Sequence, residues 1–202
     1  MDSQYTIGAD HVYFGLPSQA LNSKDTLKAK EYQDPLTKLP NRVLFKEYFL
    51  NSLSNAKQHH KSIAVMLLDI NHFQGINKNW GYPVGDKILL EVAERIKASL
   101  RGSDIVCRWG DDKFMILFPK ISHGDDLEKI TQRLLNNIGE SLQLSEKVLY
   151  LEYSMGCAIY PQDGHDSKTL LRQAESRLTN HKKEMRAKNK IYNLTIDPKA
   201  SK

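Results

Sequence analysis

Only two cysteines occur in 202 residues, Cys107 and Cys157, and each stands inside a short apolar run. Two thiols are too few for a disulfide framework, and their surroundings predict reduced core residues rather than a bridge or a metal-ligating pair. Long hydrophobic runs are also missing. The longest, Ile63 to Leu68, has the length of a strand and stops at a charge, Asp69, so it does not suit a bilayer span. Met1-Asp2-Ser3-Gln4 has neither the basic start nor the apolar core of a secretion signal. These absences lead us to expect a cytoplasmic chain, or the cytosolic part of a larger protein, with no membrane segment of its own.

What is present suits one globular domain: 40% hydrophobic and 26% charged residues, with room for a single well-buried core. The net charge of +5 is concentrated in His181 to Lys190. A nucleic-acid role would rest on that stretch alone and is not expected.

Residues 1–33 carry no sustained period and read as a linker or lead-in helix; 34–196 form the domain and 197–202 a tail. Two prolines and Asn41 predict a turn that caps a helix to about Gln58, with Val43, Leu44, Phe45, Tyr48, Phe49 and Leu53 on its apolar face. Ser62 to Ile70 is a buried strand. A short helix from His72 follows, then a Gly/Pro break, and a helix from Asp86 to Leu100 whose core face is Ile88, Leu89, Val92, Ile96 and Leu100. Ile105 to Cys107 and Phe114 to Phe118 flank Gly110-Asp111, a two-residue hairpin signal with glycine at positive φ. His123 to Leu142 reads as a surface helix, Val148 to Tyr160 as a strand, Ser167 to Lys188 as a helix and Ile191 to Ile196 as a last strand. The order αβααββαβαβ describes an α/β sandwich, a mixed and mainly antiparallel sheet covered by helices.

Two acids stand where a buried strand ends and another begins, Asp69 and Asp112. A carboxylate there is costly unless paired or bound, and a converging pair suits a divalent cation. A structural hairpin explains the Gly-Asp turn by itself, and on that stretch alone it is the favoured reading. Asp86 reads as a helix cap, Asn77 as a turn residue, and Lys182 with Arg186 as a solvated basic face. Arg101 suits a helix end and Asp104 a turn before a strand.

Read together, the segments from Asp34 to Leu194 resemble the GGDEF family, the diguanylate cyclases and their degenerate relatives. The motifs are Asp34-Pro35-Leu36-Thr37 with Leu39-Pro40-Asn41-Arg42; Asp69-Ile70-Asn71-His72-Phe73; Ile76-Asn77, Gly81 and Gly85-Asp86; Arg101 and Asp104; Arg108 to Phe114; Tyr160-Pro161-Gln162-Asp163-Gly164; and Lys182 with Arg186. The resemblance implies a nucleotidyl-cyclase, palm-like fold and a reaction joining two GTP molecules into cyclic di-GMP. In that reaction two domains face each other and Mg2+ or Mn2+ is held on the triphosphate. By this likeness Asp69 and Asp112 are metal-binding, Asp112 is also the catalytic acid, Asn77 and Asp86 read guanine, and Lys182 and Arg186 contact phosphate. Arg101 and Asp104 match an inhibitory site for cyclic di-GMP, which needs no metal. A guanidinium can make bidentate bonds to a guanine edge or to phosphate.

Five positions depart from the family pattern. Asp111 replaces the second glycine of the signature and Lys113 its glutamate; Asn71, Gln74 and Tyr82 replace an acid, a phosphate-contacting lysine and a histidine. Lys113 puts a cation where an acid would help hold metal. The leading expectation is therefore a catalytically impaired domain that binds guanine nucleotide or cyclic di-GMP as a regulatory module of bacterial second-messenger signalling. Its partners would be an upstream sensory or partner domain and a second copy as homodimer. An active cyclase with a variant signature and a nucleotide-free dimerisation scaffold are the alternatives.

Overall fold

The computed structural model describes residues 31–122, 124–144 and 147–195. The expected lead-in segment, apart from its last few residues, and the tail lie outside them. The elements in chain order are α1 (Arg42–Gln58), β1 (Ser62–Ile70), α2 (Phe73–Trp80), α3 (Tyr82–Ser99), β2 (Ile105–Arg108), β3 (Lys113–Ile121), α4 (Gly124–Ile138), β4 (Leu142–Leu144), β5 (Lys147–Leu149), β6 (Tyr153–Tyr160) and α5 (Ser167–Thr195). Four strands form one sheet in the order β2-β3-β1-β6, and each of its three pairings is antiparallel. β4 and β5 make a separate small hairpin.

β1 is the middle of this arrangement, and its unbroken apolar run follows from burial on both faces. Ala64, Met66, Leu68 and Ile70 face a layer that includes Ile88, Val92 and Ile96 of α3 and Leu134 and Ile138 of α4. Ile63, Val65 and Leu67 face the opposite layer, with Phe45 and Phe49 of α1 and Leu170, Ala174 and Leu178 of α5. Alternation with period two thus sends neighbouring residues to different helical layers, each apolar enough to cover the sheet.

Local chemistry explains the helix ends. Asn41 caps α1, its side-chain oxygen accepting from the backbone N–H groups of Val43 and Leu44 at 3.0 and 3.2 Å. Asp34 accepts from both the N–H and the hydroxyl of Thr37 at 2.7 Å, which locks the turn before it. α5 lies close on β6 at Gly156, where any Cβ would stand 2.1 Å from the Ala174 carbonyl oxygen. Only glycine admits that approach.

Several expectations are corrected. α3 starts at Tyr82, four residues before Asp86, because Pro83 sits in its first turn and Gly81, at φ 85°, makes the break. Asp86 therefore lies inside the helix and does not cap it. Val43 is exposed, since the inward stripe of α1 runs Phe45, Phe49, Leu53, Ala56. α4 spans Gly124–Ile138 and turns Leu127, Ile130, Leu134 and Ile138 into the core, so it is only partly a surface helix. The strand expected over Val148 to Tyr160 is split between β5 and β6. No strand forms at 191–195: the strong helix formers of 182–190 carry α5 on to Thr195, and Ile196 lies outside the described residues.

The Tyr160-Pro161-Gln162-Asp163-Gly164 stretch turns out to be a clamp. Asp163 accepts from the Ile159 N–H at 2.8 Å and from both terminal nitrogens of Arg177 at 2.7 and 2.5 Å, while Arg177 also donates to the Cys157 carbonyl at 2.7 Å. The Arg177 bonds, reinforced by the Ile159 N–H, hold the Asp163 carboxyl below the usual carboxylate range. The clamp therefore stabilises the fold fully above the unfolded value of about 4 and is lost as pH falls through the lowered folded pKa. Asp163→Asn should cost about 1–2 kcal/mol at neutral pH. Urea titrations of parent and variant at pH 7 and near pH 3 check this: the gap should close on acidification.

Candidate functional site

The C-terminal end of β1 and the start of β3 meet at the edge of the core, where the sheet register sets Asp69 directly across from Lys113 and, on the other side, from Ser154. The Ile70 N–H donates to the Asp112 carbonyl at 3.1 Å, so the strand end and the hairpin loop are tied by backbone. Beside them opens a cleft of about 450 Å3 whose walls include Asp69, Gln74, Asp112, Lys113, Lys182 and Arg186.

Charge organises this cleft. The Asp69 side chain is 1% exposed, and its two oxygens lie 3.3 Å from Lys113 Nζ and 2.6 Å from Lys182 Nζ. Lys113 Nζ also donates to Asp112 Oδ1 at 3.0 Å, so one ammonium spans both acids. Burial pulls the Lys113 pKa down, but the hydrogen bond and charge of Asp112 and the charge of Asp69 outweigh it and raise it above the ordinary lysine value. Two carboxylates and two ammonium groups thus neutralise one another.

Lys182 arrives by helical periodicity. Leu170, Ala174 and Leu178 of α5 are buried against the sheet, and Lys182 is next on the same i, i+4 stripe, followed by Arg186. That stripe passes from core into cleft. Lys182 is therefore not on a solvated face, whereas Arg186, which also lines the cleft, is exposed.

The signature loop is held from behind. β2 ends at Arg108 and β3 begins at Lys113; the N–H groups of Trp109 and Gly110 both donate to the Lys113 carbonyl, at 2.9 and 3.3 Å. The Arg108 side chain folds over the loop, Nε donating to the Gly110 carbonyl at 2.5 Å and Nη2 to that of Asp111. This corrects the expected two-residue turn. The loop is longer, Gly110 is not at positive φ, and an arginine closes it in place of glycine geometry. The Arg108 N–H donates to the Pro40 carbonyl at 3.0 Å, and the Arg42 guanidinium lies 4.3 Å over the Trp109 ring, so the Pro40-Asn41-Arg42 turn braces the hairpin. Asp111 is exposed.

Asn77, Asp86 and Tyr82 lie apart from this cleft. Asn77 is on α2 and Asp86 on α3, and neither belongs to the cleft lining. Asn77 Oδ1 is buried with no hydrogen-bond partner among the described residues, and a Cβ on Gly85 would come within 1.9 Å of it. Gly85 is thus the space that the Asn77 amide requires. Tyr82 is exposed at the start of α3. Asn71 and Gln74 line the cleft; Asn71 accepts from the Ser154 hydroxyl at 2.8 Å.

Arg101 and Asp104 form a tight turn ahead of β2. The Arg101 N–H donates to Asp104 Oδ2 at 3.0 Å and the Asp104 N–H to the Arg101 carbonyl at 2.9 Å. Asp104 is buried, and burial raises its pKa against the lowering effect of the Arg101 N–H and charge, whereas Arg101 is exposed. The acid shapes the turn and the arginine faces outward.

The donors present do not fit the divalent ion that the sequence likeness implies. No three His, Cys, Asp or Glu side chains converge among the described residues, and Lys113 stands between the two acids that do. An ammonium about 4 Å from a divalent ion repels it by roughly 8 kcal/mol at an effective dielectric near 20. Sequence reasoning missed Glu152 in the cleft wall and the loop-closing role of Arg108. Nothing in their spacing marks either.

No helix among the described residues is long and apolar enough to cross a membrane. Comparison with known proteins gives 35% identity over 159 residues to the cyclic di-GMP phosphodiesterase NbdA of Pseudomonas aeruginosa, covering 79% of this chain and 20% of NbdA. The diguanylate cyclase TpbB of the same organism is 30% identical over 175 residues, 86% of this chain and 40% of TpbB. This chain thus spans less than half of either relative. The structure of the isolated GGDEF domain of TpbB superposes with a TM-score of 0.73 at 31% identity, covering 75% of this chain and 89% of that one. The family model described as "Diguanylate cyclase, GGDEF domain" matches residues 31–188, and with the fold and the strand-end acids in place, the chain belongs to the GGDEF family of cyclic di-GMP signalling proteins.

Proposed function

We propose that this GGDEF domain has given up cyclic di-GMP synthesis and serves as a guanine-nucleotide-responsive regulatory module. One observation carries the reading: Lys113 Nζ lies 3.3 Å from Asp69 and 3.0 Å from Asp112, in place of the acid that the family signature has there. Metal-assisted phosphoryl transfer needs carboxylates free to hold the ion and offset the triphosphate charge. Here both are neutralised from within. Asp111 adds a further negative charge beside the place where phosphates would approach, and Gln74 lacks the charge of the lysine expected there.

Recognition of guanine is better preserved. Arg101 is exposed and its backbone is fixed by Asp104, a geometry that supports cyclic di-GMP binding through the guanidinium, with Asp104 acting on the turn rather than on the ligand. Asn77 and Asp86 are the candidates for a GTP base. A longer parent with an upstream sensory or partner domain fits a chain that covers 20% of NbdA and 40% of TpbB, and pairing of two such domains is part of the same reading.

Incubation of the protein with GTP and Mg2+ or Mn2+ should yield little or no cyclic di-GMP by chromatography; robust product that vanishes in Asp112→Ala would return the domain to the enzymes. Calorimetric titration should show that Arg101→Ala abolishes cyclic di-GMP binding whereas Asp112→Ala leaves it nearly unchanged and Mg2+ has no effect. The opposite pattern would misplace the receptor site. GTP should bind weakly, since loss of one charge-assisted phosphate contact costs on the order of 1.5–3 kcal/mol, and Asn77→Ala should weaken it further. Tight binding indifferent to Asn77→Ala would argue against that assignment.

A further inference from the structure

The cleft acids require a cation, and the chain supplies it covalently. Asp69 is the next-to-last residue of a strand buried on both faces, and its side chain is 1% exposed. A carboxylate at such a place must be matched by positive charge close by. Lys113 answers from the facing strand, where the register puts it directly across from Asp69, and Lys182 answers from the α5 stripe at 2.6 Å. Asp112, next to Lys113 in sequence, closes the group at 3.0 Å. The contacts to Asp69 are made by charge and proximity: neither of its oxygens accepts a well-aligned hydrogen bond among the described residues. The two pairs leave no net charge for a divalent ion to answer.

We propose that the Lys113 ammonium is a resident cation of this cleft, occupying the space between Asp69 and Asp112 in place of a divalent metal, so that the domain neither needs nor binds Mg2+ or Mn2+ there. The proposal rests on the reading of the cleft as the altered catalytic cleft of a GGDEF domain, and it goes beyond loss of turnover. It makes the substitution a replacement of one cation by another. Removing the ammonium should uncover a site that metal can refill.

Thermal unfolding and Mn2+ titration followed by electron paramagnetic resonance test this on the full chain. The unaltered protein should show no saturable Mn2+ binding and the same Tm in EDTA and in millimolar Mn2+. Lys113→Met should melt lower by roughly 4 °C or more, from two acids left uncompensated, and Mn2+ should restore part of the loss. Lys113→Glu should gain saturable Mn2+ binding and a Tm that rises with Mn2+; it decides the matter if the methionine variant does not fold. Saturable Mn2+ binding by the unaltered protein that Asp69→Asn removes would overturn the proposal, as would a Lys113→Glu variant indifferent to Mn2+. Metal binding without cyclic di-GMP synthesis would sink the resident cation alone; synthesis by the unaltered protein would sink the regulatory reading as well.

Discussion

A charge at the end of a fully buried strand is the constraint on which the rest of this structure depends. β1 is covered on both faces, so its last acid, Asp69, has little access to water to offset its charge. Whatever sequence follows must bring cations to it. The sheet brings Lys113 through strand pairing, and the helix brings Lys182 through its own period. Neither contact could exist without the antiparallel order β3-β1-β6, which sets the β3 start and the β6 start on either side of the β1 end. Fold and charge arrangement are one problem with one solution.

Much of this was legible beforehand, for physical reasons. The run Ile63 to Leu68 shows a doubly covered strand because neither face needs polar residues, and a charge ending that run marks its edge. Pro40-Asn41 before an apolar helical period marks a capped helix. The adjacency of the Asp69 and Asp112 strand ends could be anticipated, since both acids need the same rim of the sheet.

What stayed hidden depends on register and on distant contacts. The sequence shows that a lysine stands at position 113, but that its ammonium reaches two acids at once follows only when strand pairing sets it across from Asp69. Gly-Asp suggests a glycine-driven turn, whereas the Arg108 guanidinium holds the hairpin loop from the side. Ile191 to Ile196 is rich in β-formers and suggests a strand, but over 191–195 local preference yields to a helix already propagating. The Asp104 carboxylate also accepts from the Arg101 N–H, a local bond that the residue types alone do not announce.

Gly156 has an effect well beyond its own contact. By letting α5 rest directly on the β6 backbone, it fixes the rotational phase of a 29-residue helix. A slip of one residue would turn every side chain by about 100° around the axis. Lys182 would then point away from Asp69, and the balance of charge in the cleft would be gone with every cleft residue still in place. The missing side chain of a glycine on another strand thereby sets the electrostatics of the cleft.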